Sequence, residues 1–157
     1  MIAANGANGQ LRQFRSELAP RSLVSGLSGI FWDDFSGDLS KWSIGPYNAD
    51  TRIEGGGLRI TTDSAYTGID HILTFPAGDY RMQFTLLDQT AGHIQARVHN
   101  GTTSASGVLA SIDTAADGPE PWEVNFTSTA TDRLVRIQRR SGVTDVTVGS
   151  FQIIDVT

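Results

Sequence analysis

The sequence predicts an all-β protein, an antiparallel β-sandwich, and three observations carry this prediction. Short runs in which apolar and polar residues alternate recur along residues 29–157, and this period of two is typical of half-buried strands. Seventeen glycines and an apolar content of 39% suit many short strands joined by turns. No helical period interrupts the pattern after residue 28. The sequence therefore predicts about ten short strands in two packed layers.

The most strongly patterned stretch is residues 75–100. Two strands are predicted in it, at 80–87 and 93–99, joined as a hairpin. One face of this hairpin is expected to enter the core, through Tyr80, Met82, Phe84, Leu86, Ile94, Ala96 and Val98. The other face is polar and is expected to project to one side of the sheet, through Arg81, Gln83, Gln95, Arg97 and His99.

The remaining strands follow in order between turn signals. They are predicted at 30–35, 42–44, 51–54, 58–62, 68–75, 107–112, 122–127, 134–139 and 146–156. Residues 115–121 form a loop by composition, and residues 140–144 are predicted to connect a hairpin. The three tryptophans, Trp32, Trp42 and Trp122, are expected to face the core.

Residues 1–28 differ from the rest and are predicted to be an N-terminal arm ahead of a sandwich domain at 29–157. A short helix over residues 10–18 would place Leu11, Phe14 and Leu18 on one side, and the following Ala19-Pro20 would end it. A helix this short is marginal alone in water. The arm is therefore expected to dock, either on its own domain or on another subunit.

Charge and composition exclude several classes of function. A net charge of -5 argues against a general nucleic-acid binder, which needs a basic face for phosphates. The absence of cysteine excludes disulfides, a thiolate nucleophile and zinc–thiolate sites. The chain shows neither a signal peptide nor a long apolar span. We therefore expect a product made in the cytoplasm, with no membrane partner.

Several motifs resemble known sugar-binding domains. Residues 31–42, FWDDFSGDLSKW, followed by Gly57-Leu58-Arg59-Ile60, resemble the opening of many sugar-binding or sugar-cleaving β-sandwiches. Residues 76–84, 121–127 and 148–153 look like carbohydrate-binding modules of the galactose-binding-like jelly-roll group. The resemblance covers residues 30–157 and implies a jelly roll. Similar modules occur in phage head and tail appendages, where they bind sugars or build the particle.

The sequence offers no catalytic constellation, so we expect no enzyme. Its one close pair of glutamates, Glu120 and Glu123, would point to opposite faces of a strand. Clustered oxygens of Asp33, Asp34 and Asp38 could hold a structural calcium ion with loop carbonyls, or the three residues could cap turns. The resemblance brings no calcium ligand near the last strand, where a family aspartate pair is replaced by Thr147-Val148-Gly149-Ser150. No other cofactor is expected.

The polar face of the predicted hairpin is the candidate binding site. Planar amide and guanidinium groups offer fixed donors and acceptors to paired sugar hydroxyls. The candidates are Arg81, Gln83, Gln95, Arg97 and His99, with Tyr47 and Tyr66 near loops for stacking on a sugar ring. Glu123 and Asn125 would join them if their strand pairs nearby. The alternative is a face covered by water or by a neighbouring subunit.

Two functions remain open at this point. The first is a non-enzymatic structural or decoration protein of a phage-like virion, in a head or tail appendage, anchored by its arm to other virion proteins or to copies of itself. The second is a carbohydrate-binding module that recognises a surface glycan through its polar face or loops. The two can coexist in a host-attachment appendage.

Overall fold

The structure is a computed structural model that describes residues 28–44, 50–64, 67–117 and 119–157. These residues contain nine strands and one 3₁₀ turn at Ser104–Ser106. The strands are β1 (Ser28–Asp33), β2 (Ser43–Ile44), β3 (Thr51–Glu54), β4 (Gly57–Thr62), β5 (Gly68–Phe75), β6 (Gly78–His99), β7 (Val108–Asp113), β8 (Trp122–Ser128) and β9 (Thr131–Asp155). No helix in this part of the chain has the length and apolar character to span a membrane.

Two long strands organise the sheet. β6 has 22 residues and β9 has 25, and they pair antiparallel from Tyr80 opposite Asp155 to Val98 opposite Val135. The ladder shifts register repeatedly between residues 85 and 94 of β6, and Gly92 has a φ of 69° there. Such bulges bend a strand and increase its twist. Both strands therefore pass from one layer of the sandwich into the other.

Each half of the β6–β9 pair is flanked by a different set of strands. In the first layer, β8 pairs with residues 78–87 of β6, which pair with residues 144–155 of β9. On its other side, this half of β9 pairs first with β4 and then with β1. β3 pairs with the outer side of β4. In the second layer the order is β7, residues 93–99 of β6, residues 131–138 of β9, β5 and β2. Every pairing is antiparallel, so the predicted all-β antiparallel sandwich is confirmed.

The core lies between the layers and takes the alternate residues that the sequence predicts. Tyr80, Met82, Ile94, Ala96 and Val98 are all 0% exposed, and they belong to a single buried cluster. Phe84 is also buried, and Leu86 packs against the cluster from its edge. Trp42 and Trp122 are buried as expected. The period of two in β6 therefore predicts its inward residues correctly on both sides of the bend.

The predicted hairpin is wrong. Residues 80–87 and 93–99 do not pair with each other; they are the two halves of β6, each paired to a different half of β9. The segments predicted at 134–139 and 146–156 are likewise halves of β9, and residues 140–144 lie inside that strand. The polar, glycine-containing interruption at residues 88–92 has the composition of a turn, but it is the site of a bend between layers.

The N-terminal arm cannot be compared with its prediction. Residues 1–27, with the proposed helix and its apolar residues Leu11, Phe14 and Leu18, lie outside the described residues. The division into an arm and a domain therefore stays a prediction.

Candidate functional site

The bend in β6 separates the predicted site residues. Both halves of β6 send their even-numbered side chains into the same core, so their odd-numbered side chains leave the sandwich on opposite outer faces. Arg81 and Gln83 lie on the outside of the first layer, and Gln95 and Arg97 lie on the outside of the second. The expectation that these four residues project to one side is therefore wrong. Tyr47 and Tyr66 lie outside the described residues.

An exposed tryptophan completes the outer face of the first layer. Trp32 on β1 is 41% exposed, so its expected place in the core is wrong. It lies opposite Gln152 of β9, which lies opposite Gln83 of β6, which lies opposite Glu123 of β8. Residues directly opposite each other in a sheet point to the same side. We call this row, with Arg81 and Asn125 of the next row, the Trp32 face.

The inward-facing position of Asp33 makes Trp32 point outward. The Asp33 carboxylate is buried, with one oxygen accepting from the Phe35 N–H at 2.8 Å and the other from the Trp42 indole N–H at 2.8 Å. Phe31, two residues earlier, also turns inward and stacks on His71 with ring centroids 4.4 Å apart. Because alternate strand residues face opposite sides, Trp32 between them must face outward.

The loop after β1 holds Trp32 from one side. The Lys41 ammonium donates to the Trp32 carbonyl oxygen at 2.7 Å and lies 5.8 Å from the centroid of the indole ring, which is within cation–π range. The Lys41 carbonyl oxygen lies 2.8 Å from His71 Nδ1, which fixes the end of the loop against β5. The loop therefore holds the Trp32 indole in place while the ring stays outside the core.

The polar groups of the Trp32 face are partly organised. Arg81 Nε donates to Asn125 Oδ1 at 3.0 Å and lies 3.3 Å from a carboxylate oxygen of Glu123. The amides of Gln83 and Gln152 form no side-chain hydrogen bond with another described residue, and both side chains are half-buried. The face thus offers unengaged amide groups beside an oriented guanidinium and carboxylate.

A shallow depression continues the row at the β8 edge. It has a volume of about 540 Å³ and is lined by residues 83–85 of β6 and by residues 120–123, which lead into β8. The strand spacing of about 4.8 Å gives the row from Trp32 to Glu123 a length of roughly 14 Å. The Trp32 face is thus an open surface that crosses four strands.

The aspartates proposed for calcium bond to neighbouring residues. Asp33 makes the two bonds given above, Asp34 Oδ1 accepts from the Ser36 N–H and hydroxyl, and Asp38 Oδ1 accepts from the Ser40 N–H. Within the described ranges, no three histidine or acidic side chains lie close enough to share a metal ion. The geometry of this loop favours turn capping over a calcium site.

His99 is not on a solvated face, as the sequence predicts it to be. It is 1% exposed, and the pairing of β6 with β7 shifts register between Val98 and His99. Its Nδ1 lies 2.9 Å from the Gly107 carbonyl oxygen. Burial, with smaller contributions from Arg136 and Arg97, lowers the pKa of His99.

Two residues of the Trp32 face escaped the sequence prediction. The run Ile30-Phe31-Trp32 is apolar at every position, so it gives no parity, and Gln152 lies in a strand whose partners were not identified. The pair Asp33-Asp34 directly after Trp32 does not settle its direction, because consecutive strand residues always face opposite sides and the sequence does not show which aspartate is buried.

Sequence comparisons assign no family. No protein-family model matches the chain, and a comparison with curated proteins found no match to its sequence.

Solved structures share the fold at low sequence identity. The apo form of BiXyn10A CBM1 superposes with a TM-score of 0.56 at 16% identity, over 80% of this chain and 96% of that one. The K3 adhesin domain of Lys-gingipain from Porphyromonas gingivalis gives 0.55 at 10% identity, over 82% and 99%. The CBM22-1–GH10 modules of Clostridium thermocellum xylanase 10B, complexed with xylohexaose, give 0.50 at 16% identity, over 80% of this chain and 28% of that one. The resemblance to carbohydrate-binding modules is thus confirmed at the level of the fold.

Proposed function

We propose that this chain is a carbohydrate-binding module that holds a neutral glycan across the Trp32 face. The observation that carries the proposal is the 41% exposure of Trp32 in one row with two amides and a carboxylate. Large aromatic side chains usually bury most of their surface. An indole kept at the surface by a buried aspartate is therefore a feature that ligand binding would explain.

The chemistry of the face matches a sugar chain. The apolar face of an indole packs against the C–H groups of a sugar ring, while its neighbours bond the hydroxyls. Gln83 and Gln152 each offer donors and an acceptor, Arg81 offers donors, and Glu123 offers acceptors. The row of roughly 14 Å exceeds the width of one sugar ring. We therefore expect affinity to rise with the number of linked sugars until the row is filled.

The similar structures support the proposal at the level of architecture. Two of them contain a carbohydrate-binding module by name, and one of these, in which the module is joined to a GH10 module, was solved in complex with xylohexaose. The fold is common to many functions. The assignment to this chain therefore depends on the Trp32 face and its chemistry.

Binding is proposed without catalysis. The carboxylate of the row, Glu123, lies 3.3 Å from the Arg81 guanidinium on an open face. Glycoside cleavage requires a pair of carboxylates placed on either side of the scissile bond, one of them with a raised pKa. The row itself supplies one carboxylate, that of Glu123.

A glycan array tests the proposed function. The wild type should retain a set of neutral oligosaccharides, and Trp32→Ala and Gln152→Ala should each lose them. Val143→Ala is the matched control, because Val143 is also an exposed apolar residue, at 70%, but lies in the middle of β9, between the halves that belong to the two layers. An array without any bound glycan, or equal retention by Trp32→Ala and wild type, would contradict the proposal.

The virion hypothesis stays a prediction. Its structural basis is the N-terminal arm, which lies outside the described residues, and its partners would be other virion proteins or copies of this chain. Deleting residues 1–28 should leave a folded sandwich that no longer enters the assembly. Normal assembly of the shortened chain would contradict the anchoring role.

A further inference from the structure

The outer face of the second layer carries an arginine without a carboxylate partner among the described residues. Arg97 of β6 lies opposite Arg136 of β9, and like charges placed directly opposite destabilise a sheet. Arg136 is neutralised by Asp70 of β5, to which it donates two bonds at 2.6 and 2.7 Å. The carboxylate of the neighbouring row, Asp113, is bonded by Arg140 and Gln95. None of the described carboxylates thus pairs with Arg97.

Unbonded polar atoms gather around Arg97. In the described part of the chain, five buried side-chain nitrogen or oxygen atoms have no hydrogen-bond partner. Three of the five are Arg97 Nε, Gln138 Oε1 and His99 Nε2. Gln138 lies opposite Gln95, one row from Arg97, and His99 is two residues after Arg97 on β6. Because an unpaired buried polar group destabilises a fold, the occurrence of three of them on neighbouring stretches of β6 and β9 needs an explanation.

The three atoms differ in what they can accept or give. His99 Nδ1 must carry the proton, because its partner at 2.9 Å is the Gly107 carbonyl oxygen, so Nε2 of the neutral ring is an acceptor. Gln138 donates through its Nε2 to Gln95, and its Oε1 is a second acceptor. Arg97 Nε is a donor. Among the described residues, this cluster therefore combines a guanidinium without a carboxylate partner and two acceptors that receive no hydrogen bond.

We propose that this face, the Arg97 face, is a second binding site whose ligand is a sugar acid. The carboxylate of the ligand would accept two parallel bonds from the Arg97 guanidinium, which is the geometry that arginine favours for carboxylates. Its hydroxyls would donate to Gln138 Oε1 and His99 Nε2. All three atoms are buried, so binding requires the half-buried Arg97 side chain to move aside before the ligand can reach them.

Other anionic ligands fit this combination less well. An inorganic anion or a simple carboxylate supplies no donor for the two free acceptors. An acidic peptide carries its donors along its backbone, where they would pair with a strand edge rather than with the face of a sheet. A sugar acid carries a carboxylate and several hydroxyls on one ring. The Arg97 face and the Trp32 face lie on opposite outer faces, so this site is independent of the proposed neutral-glycan site.

The probes for this site are glucuronate, glucose, acetate and an oligoglutamate peptide, titrated into the full chain and followed by backbone-amide NMR and calorimetry. Glucuronate should shift the signals of residues 95–97 and 136–138. Glucose and acetate should bind at least about tenfold more weakly, since each lacks one of the two kinds of contact. Acetate binding as tightly as glucuronate would reduce the site to a general anion site and overturn the proposal. Tighter binding of oligoglutamate would assign the face to an acidic protein instead.

Substitutions separate this site from structural effects. Arg97→Met should weaken glucuronate binding about tenfold or more, and Arg97→Lys should fall between it and wild type, because lysine keeps the charge but not the paired donors. Arg52→Met, which removes another half-exposed arginine on β3, is the control and should bind glucuronate as wild type does. Unchanged affinity in Arg97→Met would overturn the proposal. Trp32→Ala should retain glucuronate binding, so failure of either site is visible without the other.

Discussion

Replacing Trp32 by alanine should remove most of the neutral-glycan affinity. A tryptophan side chain presents up to about 250 Å², so the 41% exposed fraction of Trp32 corresponds to roughly 100 Å². Covering most of that area at about 25 cal/mol per Å² is worth about 2 kcal/mol. At about 1.4 kcal/mol per factor of ten, the Kd should rise about 30-fold. Trp32→Phe should recover part of this loss, because it retains a smaller ring.

The same substitution should have a small effect on folding. Trp32 lies outside the buried cluster, and substitutions away from the core and from buried polar networks usually change the free energy of unfolding by about 0.5 kcal/mol. Isothermal titration calorimetry with the best glycan of the array gives the Kd, and urea unfolding gives the stability. A Kd within threefold of wild type, with the fold intact, would refute the role given to the indole.

Three further substitutions test the framework around the two faces. Asp33→Ala should lower the free energy of unfolding by about 2–4 kcal/mol, because it leaves a buried indole N–H and a backbone N–H unpaired; an unchanged urea midpoint would contradict this. The Arg59 guanidinium lowers the pKa of Asp145, so this pair stabilises the fold above about pH 4 and loses its contribution as pH falls through the lowered pKa. The melting temperature of Asp145→Asn should therefore fall less steeply than that of the wild type as the pH is lowered. Identical slopes for the two proteins would contradict a stabilising role of the Arg59–Asp145 pair. Gly68→Ala should lower the free energy of unfolding by about 1–3 kcal/mol through overpacking, because a Cβ there would lie 2.3 Å from a backbone oxygen of β9. Gly29→Ala is the matched control for calorimetric melting, because a Cβ at that position meets nothing within 4 Å.

The sequence predicts the core of this protein well because strand parity is a local property. Along β6, the inward set from Tyr80 to Val98 follows from alternation alone, and burial agrees on both sides of the bend. Parity needs no knowledge of which strands are neighbours. The all-β sandwich and the inward positions of Trp42 and Trp122 could therefore be predicted from the sequence.

Pairing is not a local property, and there the sequence prediction was wrong. A polar stretch with a glycine at residues 88–92 can reverse the chain as a hairpin, or it can bend a long strand from one layer into the next. Both solutions accept a glycine at positive φ, as Gly92 has. The choice is made by β9, whose matching bend lies about 50 residues later in the chain. Without that partner, Arg81 and Arg97 cannot be assigned to different faces.

The candidate site was only half predictable for the same reason. Arg81 and Gln83 follow from the parity of β6, but the row that they complete depends on three other strands. Trp32 lies in an apolar run without alternation, and its outward position is set by the buried bonds of Asp33. A buried carboxylate with two specific donors is a tertiary fact that composition does not show.

The most direct test of the proposed function is an NMR titration of the full chain with the neutral oligosaccharide that the array selects. If the chain binds glycans as proposed, the indole N–H signal of Trp32 and the side-chain amide signals of Gln83 and Gln152 shift together, with one Kd, while the signals of residues 95–97 stay in place. Saturating shifts that leave Trp32 unchanged and map elsewhere on the sandwich would contradict the account.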